Sequence, residues 1–515
     1  MGRKRKRSKQ AKAKRGGSSA AQSVVVRNYD WQREWGRVGV SAKYDSAQTT
    51  NENKRHWANA DSLSANAAND PTVRRTLRER SRYEVANNPH AKNILLSIGN
   101  YTVGTGPRIQ VQTDDPTVNS AVEKQFNRWL QAVFIGEKLR TMRAAKAQDG
   151  EAFALFTNRA NGTPVNLDLQ LIETDQVAAA GWGATFGDVG SVDGIELDQY
   201  GVPVSYEILN QHPGDGSLLS ATGESRRVAA EHIIHYVRID RPGQVRGVPE
   251  ITSALPLFAV LRRYVMAVLL AAESAASFAA VLKTVFPPMA DDQGDGAGSA
   301  ASVPAGMNLE IERNMITSLP EGWDISQLKA EQPTASFSDF HDKILNNIGC
   351  VLGVPFNVIA CNSSGYNYAS GRMDYQAFDL SLKVERNVMA LRILDRCLHA
   401  WLQEAVLVEG FLPQALRSVG AVEALDHEWH WDGRDHVDPQ KEANAADTRL
   451  KNGTTTLALE YARQGLDYEK HIDQWAKEVF QRIAALEKQG LSREQAIQII
   501  FEKAITLEPE PEPVE

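Results

Sequence analysis

The apolar and polar positions change rhythm several times along the chain. Residues 1–60 have no apolar period; they are basic, then rich in Gln, Ser, Asn and Thr, which predicts a disordered or loosely draped arm. The first helical period begins at Asp70-Pro71, a cap residue followed by proline at the first helical position. It runs through Val73, Leu77 and Arg80 towards Val85, until Asn87-Asn88-Pro89 interrupts it; a second helix carries Ile94, Leu95 and Ile98. Short strands are then predicted at Thr102-Val103, Arg108 to Gln112, Glu151 to Phe156, Leu167 to Glu173 and Tyr206 to Leu209. Turns at Asn161-Gly162 and Asp193-Gly194 separate them, and a helix from Gly136 to Ala147 lies among them, so this part reads as an α+β body.

From Ser253 to Val285 nothing breaks a helical reading after Pro256, which a first turn tolerates. Such a helix would be about 50 Å long, more than the roughly 30 Å of a small domain, and would project from the body. Ala267, Ala271, Ala275 and Ala279 recur at spacing four beside Ala272, Ala276 and Ala280, two ridges of small side chains that would let another helix approach closely. The competing reading is that alanine favours helix and the face is ordinary core. Residues 286–306 are rich in Pro, Asp, Gly and Ser; Asp291, Asp292 and Asp295 lack the spacing and terminal Glu of a calcium loop and read as a flexible tip. Leu309-Glu310-Ile311 and Trp323-Asp324-Ile325 look like small strands. A helix follows from Ser338 to Leu352, ended by Gly353-Val354-Pro355.

After the polar loop Asn362-Ser363-Ser364-Gly365-Tyr366-Asn367-Tyr368, a second very long helix is expected from a Ser370 cap to about Val408, with apolar positions 373, 377, 380, 384, 388, 391, 394, 398 and 402 in 3–4 spacing. The carboxyl-terminal part reads as all helical: Asp438-Pro439 opens one helix, Gly453 and Gly465 end elements, Asp467 caps a helix reaching Gly490, and Ser492 with Gln495 forms a capping box.

Composition adds one thing to this pattern. The 515 residues carry 57 Lys+Arg and 64 Asp+Glu, but ten of the basic residues, from Arg3 to Arg27, fall in the first 27 positions with no acid among them. The rest has 47 basic against 64 acidic residues, a net of −17. Such a body is a poor general nucleic-acid binder, while the head could contact phosphates. Three cysteines, Cys350, Cys361 and Cys397, without CxxC spacing support neither a disulfide framework nor a zinc module and fit a reducing compartment. No secretory leader is read, and the most apolar stretch, Ala254 to Ala272, is interrupted by Arg262 and Arg263, so no membrane partner is expected.

Catalytic signatures are sparse. No phosphate loop, HExxH or GxSxG element is present, and Val103-Gly104-Thr105-Gly106-Pro107 reads as a turn. The most suggestive cluster, His427, His430, Asp432, Asp435 and His436, could hold a divalent metal, the basis of an alternative function as a metal-dependent DNA-processing enzyme. It alternates like a strand, though, which would aim His427 and His430 to opposite faces. The head residues Arg3, Lys4, Arg5, Lys6, Arg7 and Lys9 have three readings: a solubilising tail, a non-specific DNA contact, or a nuclear-import signal. Without interleaved aromatics they offer no base stacking.

Four stretches, in order, resemble the portal proteins of tailed bacteriophages, the lambda-type family. They are Arg78-Glu79-Arg80-Ser81-Arg82 with Asn87-Asn88-Pro89 and Val103 to Gly106; Gln148-Asp149-Gly150-Glu151-Ala152-Phe153; Arg238 to Pro249 with Gln244-Val245-Arg246-Gly247; and Asn367-Tyr368-Ala369-Ser370-Gly371-Arg372 with Asp438-Pro439-Gln440-Lys441-Glu442. The resemblance implies a portal-like α+β fold. After the arm at 1–60, a wing would span 61–250, a first stem helix 251–285, a clip 286–335 and a second stem helix 336–353. A tunnel-loop region would follow at 354–370, a wing return at 371–437, an all-α crown at 438–500 and a helix end with acidic tail at 501–515.

It implies a ring of typically twelve copies at one capsid vertex of the virion, assembled in the host cytoplasm and packed through Ala267, Ala271, Ala275 and Ala279. Asn362 to Tyr368 would line the channel. The implied partners are double-stranded DNA, the large terminase subunit, major capsid and scaffold proteins, and a head–tail connector; no enzyme activity or cofactor is implied. Within that frame the negative body is an advantage, because a conduit must not hold its cargo tightly.

Overall fold

The computed structural model describes residues 51, 54–178, 190–215, 224–276, 280–284, 323–327, 336–417, 425–433 and 439–505. The chain divides into two units, Met1–Ser64 and Ala65–Glu515. The described part of the first is exposed turn and coil, and the helices and strands below belong to the second.

After a single turn, α1 (Ala65–Ala68), Asp70 caps α2 (Pro71–Asn87) by accepting from the amides of Thr72 and Val73. Asn88 ends α2 and caps α3 (Pro89–Val103). The strand expected at Thr102-Val103 is the last turn of α3: both side chains are buried on that helix, which Gly104 ends at φ 61°. β1 (Arg108–Val111) is followed by α4 (Pro116–Ala132), a helix not anticipated although Asp115-Pro116 carries the same start signal as Asp70-Pro71, and then by α5 (Ile135–Asp149).

β2 (Glu151–Asn158) and β3 (Leu167–Ile172) are followed by β4 (Ser191–Val192), β5 (Ile195–Leu197), β6 (Pro203–Leu209), β7 (Ser225–Ala229) and β8 (Ile233–Val237). They form two antiparallel sheets, ordered β3-β2-β8 and β4-β5-β6-β7. One face of β2 packs with α4 and α5, where Phe126, Trp129 and Leu139 are fully buried; the other face turns Phe153 and Leu155 towards Tyr206 and Ile208.

The projecting helix is shorter than expected. Helix α6 spans Leu255–Ala276 after a 3₁₀ turn, and Ala280–Thr284 is strand β9, antiparallel to β10 (Trp323–Gln327). The helix is therefore about 33 Å long rather than 50 Å. The Val281-Leu282 pair belongs to a hairpin, where β-branched and apolar residues favour the extended backbone over continuing the alanine run. Thr252–Glu273 is long and apolar enough to cross a membrane by length and composition, so the two arginines do not interrupt it as expected; Arg262 instead reaches the Glu84 carboxylate of α2 at 2.9 Å. Leu309 to Ile311 lie outside the described residues.

Helix α7 (Ser336–Cys350) ends at Gly353 (φ 63°), and an unanticipated short helix α8 (Phe356–Ala360) precedes the polar loop. The second long helix is built of three pieces: α9 (Tyr368–Met389), a π turn over Ala390–Leu394, and α10 (Asp395–Ala405). Its inner face is Phe378, Leu382, Met389, Ile393, Cys397 and Trp401, all buried. The apolar stripe predicted at 3–4 spacing is therefore not a single core face: Met373, Leu380, Val384 and Leu391 are exposed, whereas Leu394, Leu398 and Leu402 are buried. A π turn takes one residue more than an α turn, about 100° of rotation, and this re-aims the stripe part-way along.

β11 (His427–His430) pairs with β1 over the register Arg108–His430 to Val111–His427. Helices α11 (Pro439–Lys451), α12 (Leu457–Arg463), α13 (Tyr468–Lys488) and α14 (Arg493–Ile505) complete the described chain. The predicted caps are in place: Asp467 accepts from the Lys470 amide, and Ser492 and Gln495 exchange reciprocal backbone bonds.

Candidate channel loop and a buried ion-paired frame

The polar loop is an exposed bridge between α8 and α9. Cys361 turns the chain in a left-handed conformation (φ 51°), and the Ser364 amide donates to the Asn362 side chain in an Asx turn. The Tyr366 hydroxyl donates to the Asp374 carboxylate at 2.9 Å, nearly two turns into α9. Burial, then this carboxylate, raises the Tyr366 hydroxyl above its ordinary pKa.

Asn367, not Ser370, is the cap: its side chain accepts from the Ser370 amide while Ser370 Oγ accepts from the Asn367 amide. Tyr368 is consequently the first helical residue rather than a loop residue, with Lys441 of α11 5.5 Å from its ring centre. No Lys or Arg lies between Asn362 and Tyr368, so the loop itself carries hydroxyls and amides but no cation, and Lys441 reaches it from α11.

Elsewhere in the body, two of the sequence stretches singled out above meet in a buried ionic frame. Glu151, at the start of β2, is fully buried and accepts from Arg246 Nε at 2.8 Å and from the Gly247 amide at 3.0 Å, with His235 Nε2 2.9 Å away. Burial pushes the Glu151 carboxyl up, but Arg246 and His235 outweigh it and hold it well below the usual carboxylate range. Arg246 also donates to the carbonyls of Val177 and Asp193, and Asp193 pairs with Arg74 of α2.

Two glycines permit this approach. A Cβ on Gly150 would lie 2.6 Å from the Val248 carbonyl carbon, and one on Gly247 would lie 2.1 Å from the Gly150 oxygen.

A second group ties α5 to the segment just before α6 and to α9. Arg143 donates to Glu250 at 2.9 Å, Lys146 donates to Glu385 at 2.6 Å, and the Tyr236 hydroxyl donates to the same Glu385. Burial raises Glu385, yet Arg143 and Lys146 overcome it and keep the carboxylate charged. Nothing in the linear sequence brings these five together. The nearest signal is that Arg143, Lys146 and Glu385 occupy core-facing positions of helices, where an unpaired charge would be too costly to keep.

The candidate metal ligands do not converge. His427 lies 3.2 Å from Asp395, His430 2.6 Å from the Gln110 side chain, and Asp432 caps the Gly104-Thr105 turn by accepting from the Thr105 amide and hydroxyl. Asp435 and His436 lie outside the described residues. Each described member already has a structural partner, so the metal-dependent enzyme reading is not favoured.

Among the described residues, Glu173, Asp175 and His212 are the one His/Cys/Asp/Glu group whose ligand atoms cluster, and Arg78 and Arg82 supply the charge those acids need. In the proposed stem face, Ala267 is exposed and Ala271 half-buried, Ala275 is within α6, and Ala279 lies outside the described residues, as do Arg3, Lys4, Arg5, Lys6, Arg7 and Lys9.

The model of the phage portal protein family, lambda type, matches residues 50–386, which contain the loop, both glycines and most of the ionic frame. The chain belongs to the lambda family of phage portal proteins. It is 24% identical over 436 residues to the probable portal protein of Halomonas phage phiHAP-1, covering 78% of this chain and 80% of that protein. Portal protein B of Escherichia phage lambda is 23% identical over 192 residues, 36% of each chain. Among solved structures, a chain in the neck of an empty gene transfer agent particle is similar at TM-score 0.41 and 16% identity, covering 75% of this chain and 93% of that one. Portal proteins are structural components of the virion, and the family is not an enzymatic one.

Proposed function

We propose that the chain assembles into a closed ring, of twelve copies, at one capsid vertex, and that double-stranded DNA enters and leaves through its centre past residues 362–368. The observation that carries this reading is the character of that loop in a lambda-family portal chain. It is largely exposed, polar, without a Lys or Arg of its own, and braced at its α9 end by the Tyr366–Asp374 bond and the Asn367 cap. A surface of that kind touches DNA without holding it, since phosphate affinity comes from Lys and Arg.

In this reading the body before residue 251 is the wing, and α6 and α7 are the stem. The β9–β10 hairpin belongs to a clip that meets the large terminase subunit during packaging and a head–tail connector afterwards. The helices from Pro439 onward form the crown. Capsid and scaffold proteins would meet the ring as the procapsid nucleates, in the host cytoplasm. The basic head, Arg3 to Lys9, is the segment available for non-specific DNA contact.

The test replaces Tyr366 and Tyr368 together with Ala and measures packaged DNA length and retention in assembled particles. The expected result is shortened or leaking genomes with rings still formed. Unchanged length and retention would overturn the channel role of the loop.

A further inference from the structure

Among the described residues, two helices carry apolar side chains that stay more than half exposed. On α9 and the π turn, Met373, Leu380, Val384 and Leu391 are 70%, 65%, 59% and 60% exposed. Their spacing of seven, four and seven residues sets them on one line of a helix, and the buried Phe378, Leu382 and Met389 lie on the opposite side. On α6, Val260, Met266, Leu269 and Leu270 are 53–57% exposed, beside the exposed Arg263 and Ala267. The opposite side of α6, with Phe258, Leu261 and Val268, is buried.

We infer that these two faces are the two halves of one subunit seam, the α9 stripe of one copy seated on the α6 face of the next. The inference rests on the ring reading above. Area selects the occupant. The four α9 side chains expose about 500 Å² and the four on α6 about 400 Å², each near the largest apolar patch an ordinary monomer shows. At the usual apolar share of roughly 60%, the two together correspond to an interface near 1,500 Å², the standard size for a specific complex.

The form of the surface selects the geometry. A ring needs a head-to-tail contact between two different patches of the same molecule; α6 and α9 supply two, each a band along a helix, apart from the exposed Trp475 and Phe480 of α13. Helix-on-helix packing suits both: small Ala267 on α6 leaves room for the larger Leu380 and Val384 to approach.

The test uses two full-length variants: Leu380→Asp with Val384→Asp, which spoils the α9 face, and Met266→Asp with Leu270→Asp, which spoils the α6 face. All four positions are more than half exposed, so each variant should keep the wild-type far-ultraviolet circular dichroism and melt at the midpoint of wild-type protein diluted to monomer. If either variant melts early, Leu380→Gln with Val384→Gln and Met266→Gln with Leu270→Gln replace them. Assembly is read by mass photometry and negative-stain microscopy at matched concentration.

Each variant alone should lose rings at least tenfold. Mixed one to one, the two should form dimers that grow no further, because the intact α6 face of one can meet the intact α9 face of the other only once. Rings persisting in either variant would overturn the inference while leaving the ring reading in place. Dimers of the α6-face variant alone would overturn the head-to-tail pairing, since they would mean α9 meets α9. Wild-type protein that never forms rings would overturn the ring reading, and this seam with it. Flotation of wild-type protein with phospholipid vesicles, lost in the α6-face variant, would assign that face to a bilayer instead and equally overturn the seam.

Discussion

Replacing Arg246 with Met removes a guanidinium that is 1% exposed and serves Glu151 and the carbonyls of Val177 and Asp193 at once. Glu151 would keep the Gly247 amide and His235, but not the full positive charge that holds it ionised without access to water. Breaking one side of a buried pair costs about 3–5 kcal/mol, most of it the stranded charge rather than the lost attraction. Glu151→Gln should cost a similar amount by stranding Arg246. The double substitution strands neither, so its cost should fall short of the sum by about 2 kcal/mol, within the range for directly paired residues.

Urea unfolding of the four proteins at pH 7, followed by fluorescence of the buried Trp129 and Trp401, measures this cycle. The pH dependence has a definite sign. The folded Glu151 pKa is depressed, so its contribution is complete above the ordinary value of 4.5 and is lost as pH falls below it. The gap between wild type and Arg246→Met should therefore narrow below about pH 4.5. A loss under about 1 kcal/mol for Arg246→Met, or a double variant as costly as the two singles summed, would refute the argument.

Gly247→Ala should lower stability by about 3 kcal/mol or more, because its Cβ would meet backbone rather than a movable side chain; a melting midpoint equal to wild type would contradict this. Asp374→Asn should bring the Tyr366 hydroxyl pKa back towards 10 without restoring it fully, since burial is the larger cause; ultraviolet titration against a Tyr366→Phe control measures it. Deleting residues 1–27 should weaken salt-sensitive DNA binding in filter or mobility assays while rings persist, and loss of rings would make the head structural.

Local signals served well where a side chain acts on its own backbone. The caps at Asp70, Asn88, Asp467 and Ser492 and the turn at Gly353 are written in neighbouring residues, and the structure has them there. Where tertiary contacts decide, the sequence was ambiguous. Thr102-Val103 resembles a strand by composition but completes α3, and Ala280–Thr284 continues an alanine run by composition but pairs with residues 323–327.

The stripe at 373 to 402 kept a faultless helical period, and still part of it faces outward, because a π turn is a matter of backbone register that periodicity does not encode. The loop at 362–368 was legible as a polar break. The ionic frame was legible only as two Gly-containing stretches, since Glu385 reaches Lys146 across 239 positions of sequence.

The pairing of β1 with β11 has a consequence in time. Arg108 finds His430 only after more than three hundred intervening residues exist, and closing a loop of that length costs about 5 kcal/mol of chain entropy before any contact repays it. At about 5–20 residues per second, a ribosome needs roughly 15–60 s to pass from one strand to the other. During that interval β1 is an open edge, and the Gly104 turn lacks the Asp432 that caps it. A nascent chain therefore cannot close this sheet before helices α6 to α10 have all emerged. A chain cut short before residue 427 keeps an unpaired β1 edge and an uncapped Gly104 turn, so the last-made strand is what seals one of the first.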